Sequence, residues 1–196
     1  MLSVAMSAAS EESLYPLFLK VAGRAVLVVG AGPVAERKVA ALLESGAHVR
    51  VVAPEATPEL QRLASEGRLE WGRRGFVEAD VEGVWLVVAA TSDAETQRAV
   101  AAAAHARRTF VLAVDDPANA SAYSGAIVRR PPFTVAISSS GEAPALTRLV
   151  REVIEQVLPS AEWVEHARRL RARWLAEGTP MGERFGELVR ELAARR

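Results

Sequence analysis

The stretch VLVVGAGPVAERKVAALLESGAHVRVVAP, residues 26–54, decides the fold. Four apolar residues run into Gly30-Ala31-Gly32, and the next segment repeats small and apolar side chains at helical spacing: Ala35, Val39, Leu42 and Leu43. Gly46 breaks that segment, and a second apolar run covers residues 49–53. The order reads as strand, glycine turn, helix, strand. Gly30 permits the tight turn, and Gly32 lacks the Cβ that would hold a pyrophosphate away from the backbone. Ala35, in the third slot, is small enough for the helix to pack closely on the sheet. The N-terminus of that helix aims free N–H groups at an anion resting on the turn.

Two flanking strands in a unit of about 30 residues favour dinucleotide binding over a purely structural turn. Candidate cofactor contacts are Gly30, Ala31, Gly32, Pro33 and Val34 on the turn, with Pro54 and Glu55 after the second strand. Glu55 is the only nearby carboxylate for the adenosine ribose. Arg50 lies inside the strand, which leaves no obvious arginine for a 2'-phosphate, so NAD is expected in preference to NADP.

With 196 residues, half of them hydrophobic, the chain can bury a good core as one main domain and a smaller appendage. Lys+Arg and Asp+Glu balance at 24 each, so no global charge draws it to nucleic acid or an anionic membrane. Only Lys20 and Lys38 are lysines; the remaining cations are arginines, whose planar fork suits multi-carboxylate ligands. The absence of cysteine excludes disulfides, thiolate catalysis and a cysteine metal site, and is compatible with the cytoplasm, the expected location. No apolar run approaches the roughly 20 residues needed to span a bilayer. Residues 1–13 lack the basic region of a secretion signal and read as a loose leader.

Beyond the opening unit the alternation continues. Strands are expected at 26–29, 49–52, 69–71, 84–90 and 110–114, and helices at 33–44, at 58–66 and after a capping box formed by Ser92 and Glu95. The apolar run at 84–90 has the character of a central parallel strand. The predicted fold is α/β, a Rossmann-like doubly wound parallel sheet occupying residues 14–117. Residues 118–145 carry two β-like runs, 126–129 and 133–138, around Arg130-Pro131-Pro132. Residues 146–196 form a helical C-terminal tail: Leu146, Leu149, Val150, Val153, Ile154 and Val157 mark a first helix begun by Pro144. Trp163, Val164, Leu170 and Trp174 mark a second, and Phe185, Leu188, Val189 and Leu192 a third after Gly178-Thr179-Pro180.

Few catalytic chemistries remain. Neither Tyr15 nor Tyr123 is followed four residues later by lysine, which excludes the tyrosine-lysine dyad of short-chain dehydrogenases. His48, His105 and His166 have no partners at ligand spacing, so each reads as a surface or packing residue, and no resident metal site is expected. Carboxylates are left. Ligands of a doubly wound sheet lie outside the carboxyl ends of its strands, where Asp115 and Asp116 follow the last one. Either could accept a proton while a bound nicotinamide takes a hydride, and either could instead form the turn before Pro117, a role that fits Asp116 better.

Four segments in order, LYPLFLKVAGRAVLVVGAGPVAERKVAALLESGAHVRVVAP, LVVAATSD, VDDP and AIVRRPPFTVAISSSGEAPALTRLVRE, resemble the siroheme synthase N-terminal family over about residues 14–158. That family comprises NAD-dependent precorrin-2 dehydrogenases, some of which are also sirohydrochlorin ferrochelatases. The resemblance implies that Asp115 is the essential aspartate. It also implies that Ser138, Ser139 and Ser140, with Ser139 the best positional match, form the active-site serine region. The chain departs from the family at Leu112, where asparagine is frequent, and at Ser124-Gly125-Ala126, in place of Phe-Pro-Ala. No methyltransferase domain is expected, since the chain ends soon after the match.

A polycarboxylate tetrapyrrole gives Arg129, Arg130 and Arg148 a possible task as substrate clamps, against ordinary surface charge. The serine loop could bind carboxylate through hydroxyls and helix amides, or simply cap the helix. The implied function is NAD-dependent oxidation of precorrin-2 to sirohydrochlorin, with optional insertion of ferrous ion. The resemblance further implies a homodimer joined through the middle region. Two other readings stay open: a non-catalytic NAD-sensing module whose helical tail binds a partner, and an oxidoreductase for another acidic metabolite.

Overall fold

The structure, a computed structural model, describes residues 14–114 and 116–193. It divides into two compact units, the first ending at Ser124 and the second beginning at Gly125. The sequence-based boundaries, after 117 and after 145, differ from this division.

Five strands build the first unit: β1 (Ala25–Val29), β2 (His48–Val52), β3 (Glu70–Gly72), β4 (Leu86–Ala89) and β5 (Phe110–Ala113). All pair in parallel in the order β3-β2-β1-β4-β5. The chain therefore moves outward from β1 to β3 and returns to the other side of β1 at β4. A crevice opens at such a reversal, at the carboxyl ends of β1 and β4.

Three helices cover the sheet: α1 (Pro33–Glu44), α2 (Pro58–Ser65) and α3 (Ala94–Ala106). Side chains of a strand alternate between faces, and β1 separates its residues accordingly. Val26 and Val28 join Ala35 and Val39 of α1 and Leu60 and Leu63 of α2, whereas Leu27 and Val29 join Val100, Ala101 and Ala104 of α3. Both faces of β1 and β4 are thus occupied, which is why these strands are apolar throughout rather than alternating. Full burial of a side chain such as Leu27 contributes about 2 kcal/mol, before any cavity effect.

Several element ends differ from the sequence expectation by one or two residues; β4, expected at 84–90, spans Leu86–Ala89. Strand β3 lies one residue later than predicted; Leu69 precedes it and is still buried in the core. The expected Ser92–Glu95 capping box is not what starts α3. Asp93 occupies the N-cap and its carboxylate accepts the Thr96 N–H at 2.8 Å, because its short acidic side chain reaches the first-turn amides.

The second unit holds an antiparallel pair, β6 (Ala126–Arg130) and β7 (Phe133–Ile137), and three helices, α4 (Pro144–Val157), α5 (Ala161–Glu177) and α6 (Met181–Ala193). A Cβ on Gly125 would stand 2.2 Å from the Ile137 carbonyl oxygen, so this departure from the family pattern allows close approach of the two chain segments. Among the described residues of this unit the buried side chains are few: Val128, Val164, His166, Leu170 and Trp174. Trp174 donates to Glu187 at 2.6 Å, tying α5 to α6. His166 packs edge-on against Trp163; its Nε2 lies 3.2 Å from Glu191 Oε2 without hydrogen-bonding alignment. This is the packing role expected from the sequence.

Candidate functional site

The carboxyl ends of the five strands border a cleft of about 970 Å³, a size suited to a small organic ligand. Its middle is the turn after β1, where Gly30, Ala31, Gly32, Pro33 and Val34 all line the wall. One flank is formed by Pro54 and Glu55 after β2 and by Arg74 and Phe76 after β3. The other flank is formed by Thr91 and Asp93 after β4 and by Val114 and Asp116 after β5. Every cofactor residue named from the sequence therefore lies along one continuous crevice.

The two turn glycines have different physical reasons. Gly30 has φ +101°, and a Cβ there would lie 2.4 Å from the Ala90 carbonyl oxygen. It is required for the approach of the turn to β4. Gly32 adopts ordinary extended backbone, and a Cβ on it would meet nothing within 4 Å. Its smallness serves whatever enters the cleft.

Helix α1 begins on Gly32 with no side-chain cap, and Pro33 at its first position has no N–H to satisfy. The first internal bond runs from Glu36 N–H to Gly32 C=O, so the preceding amides of Val34 and Ala35 have no acceptor within the helix. Helices α2 and α3 begin differently. Thr57 accepts the Leu60 N–H at 3.3 Å and Asp93 accepts that of Thr96, so each has its own side-chain acceptor. The uncapped, positively polarised end is the one beside the bare Gly32, which fits a diphosphate.

Asp115 lies outside the described residues. Both its neighbours line the cleft, and Val114 is held on two sides: its N–H donates to Ala89 C=O at 3.0 Å and its C=O accepts from Gln97 Nε2 at 2.6 Å. Asp116 has a local task, accepting from Asn119 Nδ2 at 2.7 Å at the start of a short 3-10 turn, Pro117–Asn119. That matches the turn-forming reading of Asp116.

The remaining candidates belong to the second unit. Ser139 Oγ accepts the Ala143 N–H at 3.2 Å and lies 2.8 Å from the Thr147 hydroxyl, so it organises the start of α4. Ser138 Oγ accepts the Ser140 N–H at 3.1 Å, helping to hold Ser140 at φ +53°. Arg130 donates to the Leu158 and Glu155 carbonyls at 2.6 and 2.7 Å and so closes the C-terminal end of α4, a structural engagement in place of an open carboxylate clamp. Arg148 is exposed and pairs with Glu152 at 3.0 Å; Arg129 is exposed on β6.

Gln97 and Arg74 are among the cleft residues that the sequence reading does not name. Gln97 is buried and polar, and its signal was visible: it shares one helical face with Val100, Ala101 and Ala104. Arg74 could be found only by knowing that β3 lies beside β2, which brings the loop after Gly72 next to Pro54.

Among the described residues no helix is long and apolar enough to cross a membrane. Residues 17–126 match the family described as "Putative NAD(P)-binding". "Siroheme synthase 3" of Aeromonas hydrophila subsp. hydrophila is 44% identical over 171 residues, which are 86% of this chain and 36% of that protein. "Siroheme synthase 1" of Cronobacter sakazakii is 50% identical over 146 residues, 74% of this chain and 31% of that protein. The chain thus spans about a third of the length of the curated relatives it matches. A solved structure titled "SirC, precorrin-2 dehydrogenase" superposes with a TM-score of 0.73 at 24% identity, covering 90% of this chain and 88% of that one, and shows the Rossmann-like fold. With the match running across the glycine turn, the parallel sheet and the cleft they enclose, the chain belongs to this NAD(P)-binding family.

Proposed function

We propose that this chain oxidises precorrin-2 to sirohydrochlorin with NAD as hydride acceptor. The observation that carries the reading is the cleft itself: a bare glycine and an uncapped helix end at its centre, with Val114 and Asp116 at one flank. The names of the matched relatives, siroheme synthases and a precorrin-2 dehydrogenase, supply the substrate class.

NAD, when bound, supplies a nicotinamide ring able to take a hydride. The amides of Val34 and Ala35 and the open side of Gly32 hold the diphosphate. Glu55, exposed beside Pro54, accepts from the adenosine ribose hydroxyls, which favours NAD because a 2'-phosphate there would face a carboxylate. Loss of hydride from precorrin-2 is a two-electron oxidation and leaves one proton to be removed. Asp115 is the base for that proton. Support for it is positional: Val114 and Asp116 both border the cleft, and Gln97 fixes the backbone immediately before it. Asp116 is engaged with Asn119.

Ser138, Ser139 and Ser140 with Arg129 and Arg148 receive substrate carboxylates, through hydroxyl donors and guanidinium groups. Arg130 acts indirectly, by holding α4. A second copy of the chain covers α4, whose Leu149, Val153 and Val157 are all exposed. The reaction belongs to the cytoplasm, where a soluble dinucleotide is at hand. Ferrous insertion into sirohydrochlorin is the second activity.

Anaerobic incubation of the protein with precorrin-2 and NAD tests the reading. Production of one NADH per sirohydrochlorin is expected, followed by a spectral change to siroheme when ferrous ion is added with the protein. NAD binding without turnover would favour the sensing module.

A further inference from the structure

Two consecutive arginines follow β3, and they meet different surroundings. Arg73 lies over the Trp71 ring, 4.2 Å from its centroid. Arg74 instead lines the cleft, in the corner shared with Pro54, Glu55 and Phe76. Its guanidinium is held by a bidentate pair: Nη1 donates to Asp80 Oδ2 at 2.8 Å and Nη2 to Asp80 Oδ1 at 2.6 Å. Nη1 also donates to Gly75 C=O at 2.9 Å. Asp80 is itself fixed, since only 4% of its side chain is exposed and it accepts the Val77 N–H at 3.0 Å. The Asp80 carbonyl accepts from Arg50, so the loop is tied to β2 as well. Half of the Arg74 side chain remains accessible.

We propose that Arg74 is a cofactor-binding residue whose guanidinium, locked in plane by Asp80, offers a flat surface to the adenine base of the bound dinucleotide. The inference rests on the NAD reading of the cleft. Pro54 and Glu55 mark the adenosine end of a doubly wound site, and β3 lies directly beyond β2. The edge of the guanidinium facing Asp80 is filled and its charge is offset by a buried carboxylate. What Arg74 presents is chiefly its planar face, and guanidinium faces stack on aromatic rings. Anchoring a 2'-phosphate would need a free bidentate edge and a corner without Glu55. Asp80 does not reach the cleft wall and is a positioning residue.

The test measures dissociation constants by NADH fluorescence, with NADPH and reduced nicotinamide mononucleotide as comparison ligands. Arg74→Lys keeps a cation for Asp80 but removes the plane. It should weaken NADH and NADPH alike by about tenfold and leave the mononucleotide, which lacks adenine, unchanged. Asp80→Asn should shift the same two ligands and spare the third, whereas a merely structural role would weaken all three. If Arg74→Lys misfolds, Arg74→Ala combined with Asp80→Asn leaves no buried unpaired charge and should show the same pattern. Unchanged NADH affinity in a folded variant, or a loss confined to NADPH, overturns the inference. Failure of the unaltered protein to bind NADH would instead overturn the dinucleotide reading beneath it.

Discussion

Helices α3 and α4 teach different things about what a sequence specifies. Both are amphipathic and of similar length, yet α3 buries Val100 and Ala104 completely, while α4 leaves Leu146, Leu149 and Val153 exposed at 59%, 55% and 51%. The partner of α3 is a sheet face made by the same unit. Among the described residues of its own unit, the apolar row of α4 has no such cover. Periodicity tells which face is to be covered and is silent on what covers it. Helix α3 of the first unit is covered by its own sheet, and α4 of the second leaves an apolar face exposed.

Substitutions can break this contrast. The largest effect is expected at Gly30→Val, which forces a β-branched residue to φ +101° and its Cβ against the Ala90 carbonyl. A loss on the order of 4 kcal/mol or more is expected from the strain and the clash together, measured by chemical unfolding. Leu27→Ala, in the fully buried core, should cost about 2–5 kcal/mol. Leu149→Arg should change the stability of the first unit by less than about 0.5 kcal/mol and shift the chain from dimer to monomer in light scattering. A monomeric unaltered protein would remove the proposed role of α4.

Gly32→Asp sharpens the contrast within the cleft. Nothing lies within 4 Å of its Cβ position, so the variant should fold, yet its carboxylate would occupy and repel the diphosphate. Calorimetry should detect no NAD binding; retained affinity would take the glycine turn out of the site.

The smallest effect concerns acid. The Arg74 guanidinium, despite burial, holds the Asp80 carboxyl below its ordinary value of 3.8, with help from the Val77 amide. A depressed carboxyl stabilises the fold fully above the unfolded value and loses that contribution as pH falls through the folded one. The stability difference between the native chain and Asp80→Asn should therefore be constant near neutrality and shrink below about pH 4. A difference that grew in acid would contradict the pairing.

Much of the first unit was legible because its signals are local. The glycine pair, the spacing of Ala35 and Val39 and the apolar runs of β1 and β4 each fix an element within a few residues. Helix α1 has the predicted bounds. The start of α3 was misread because Ser92 and Asp93 are both good caps, and only geometry chooses between them. Arg74 and the engagement of Arg130 were illegible for another reason. Each depends on a neighbour brought close by topology: β2 beside β3 for the first, the end of α4 for the second. In the serine loop the residue types suggested carboxylate binding, while the observed bonds of Ser138 and Ser139 also serve the backbone of the loop.

The central claim is that Asp115 removes the proton that accompanies hydride transfer from precorrin-2 to NAD. Asp115→Asn preserves side-chain volume, so fold and NAD affinity should persist while anaerobic NADH formation falls by roughly 10²- to 10⁴-fold. Asp116→Asn, which alters a carboxylate engaged with Asn119, should cost far less. NADH formation by Asp115→Asn at the unaltered rate would contradict the claim, leaving solvent or the substrate's own carboxylates to take the proton.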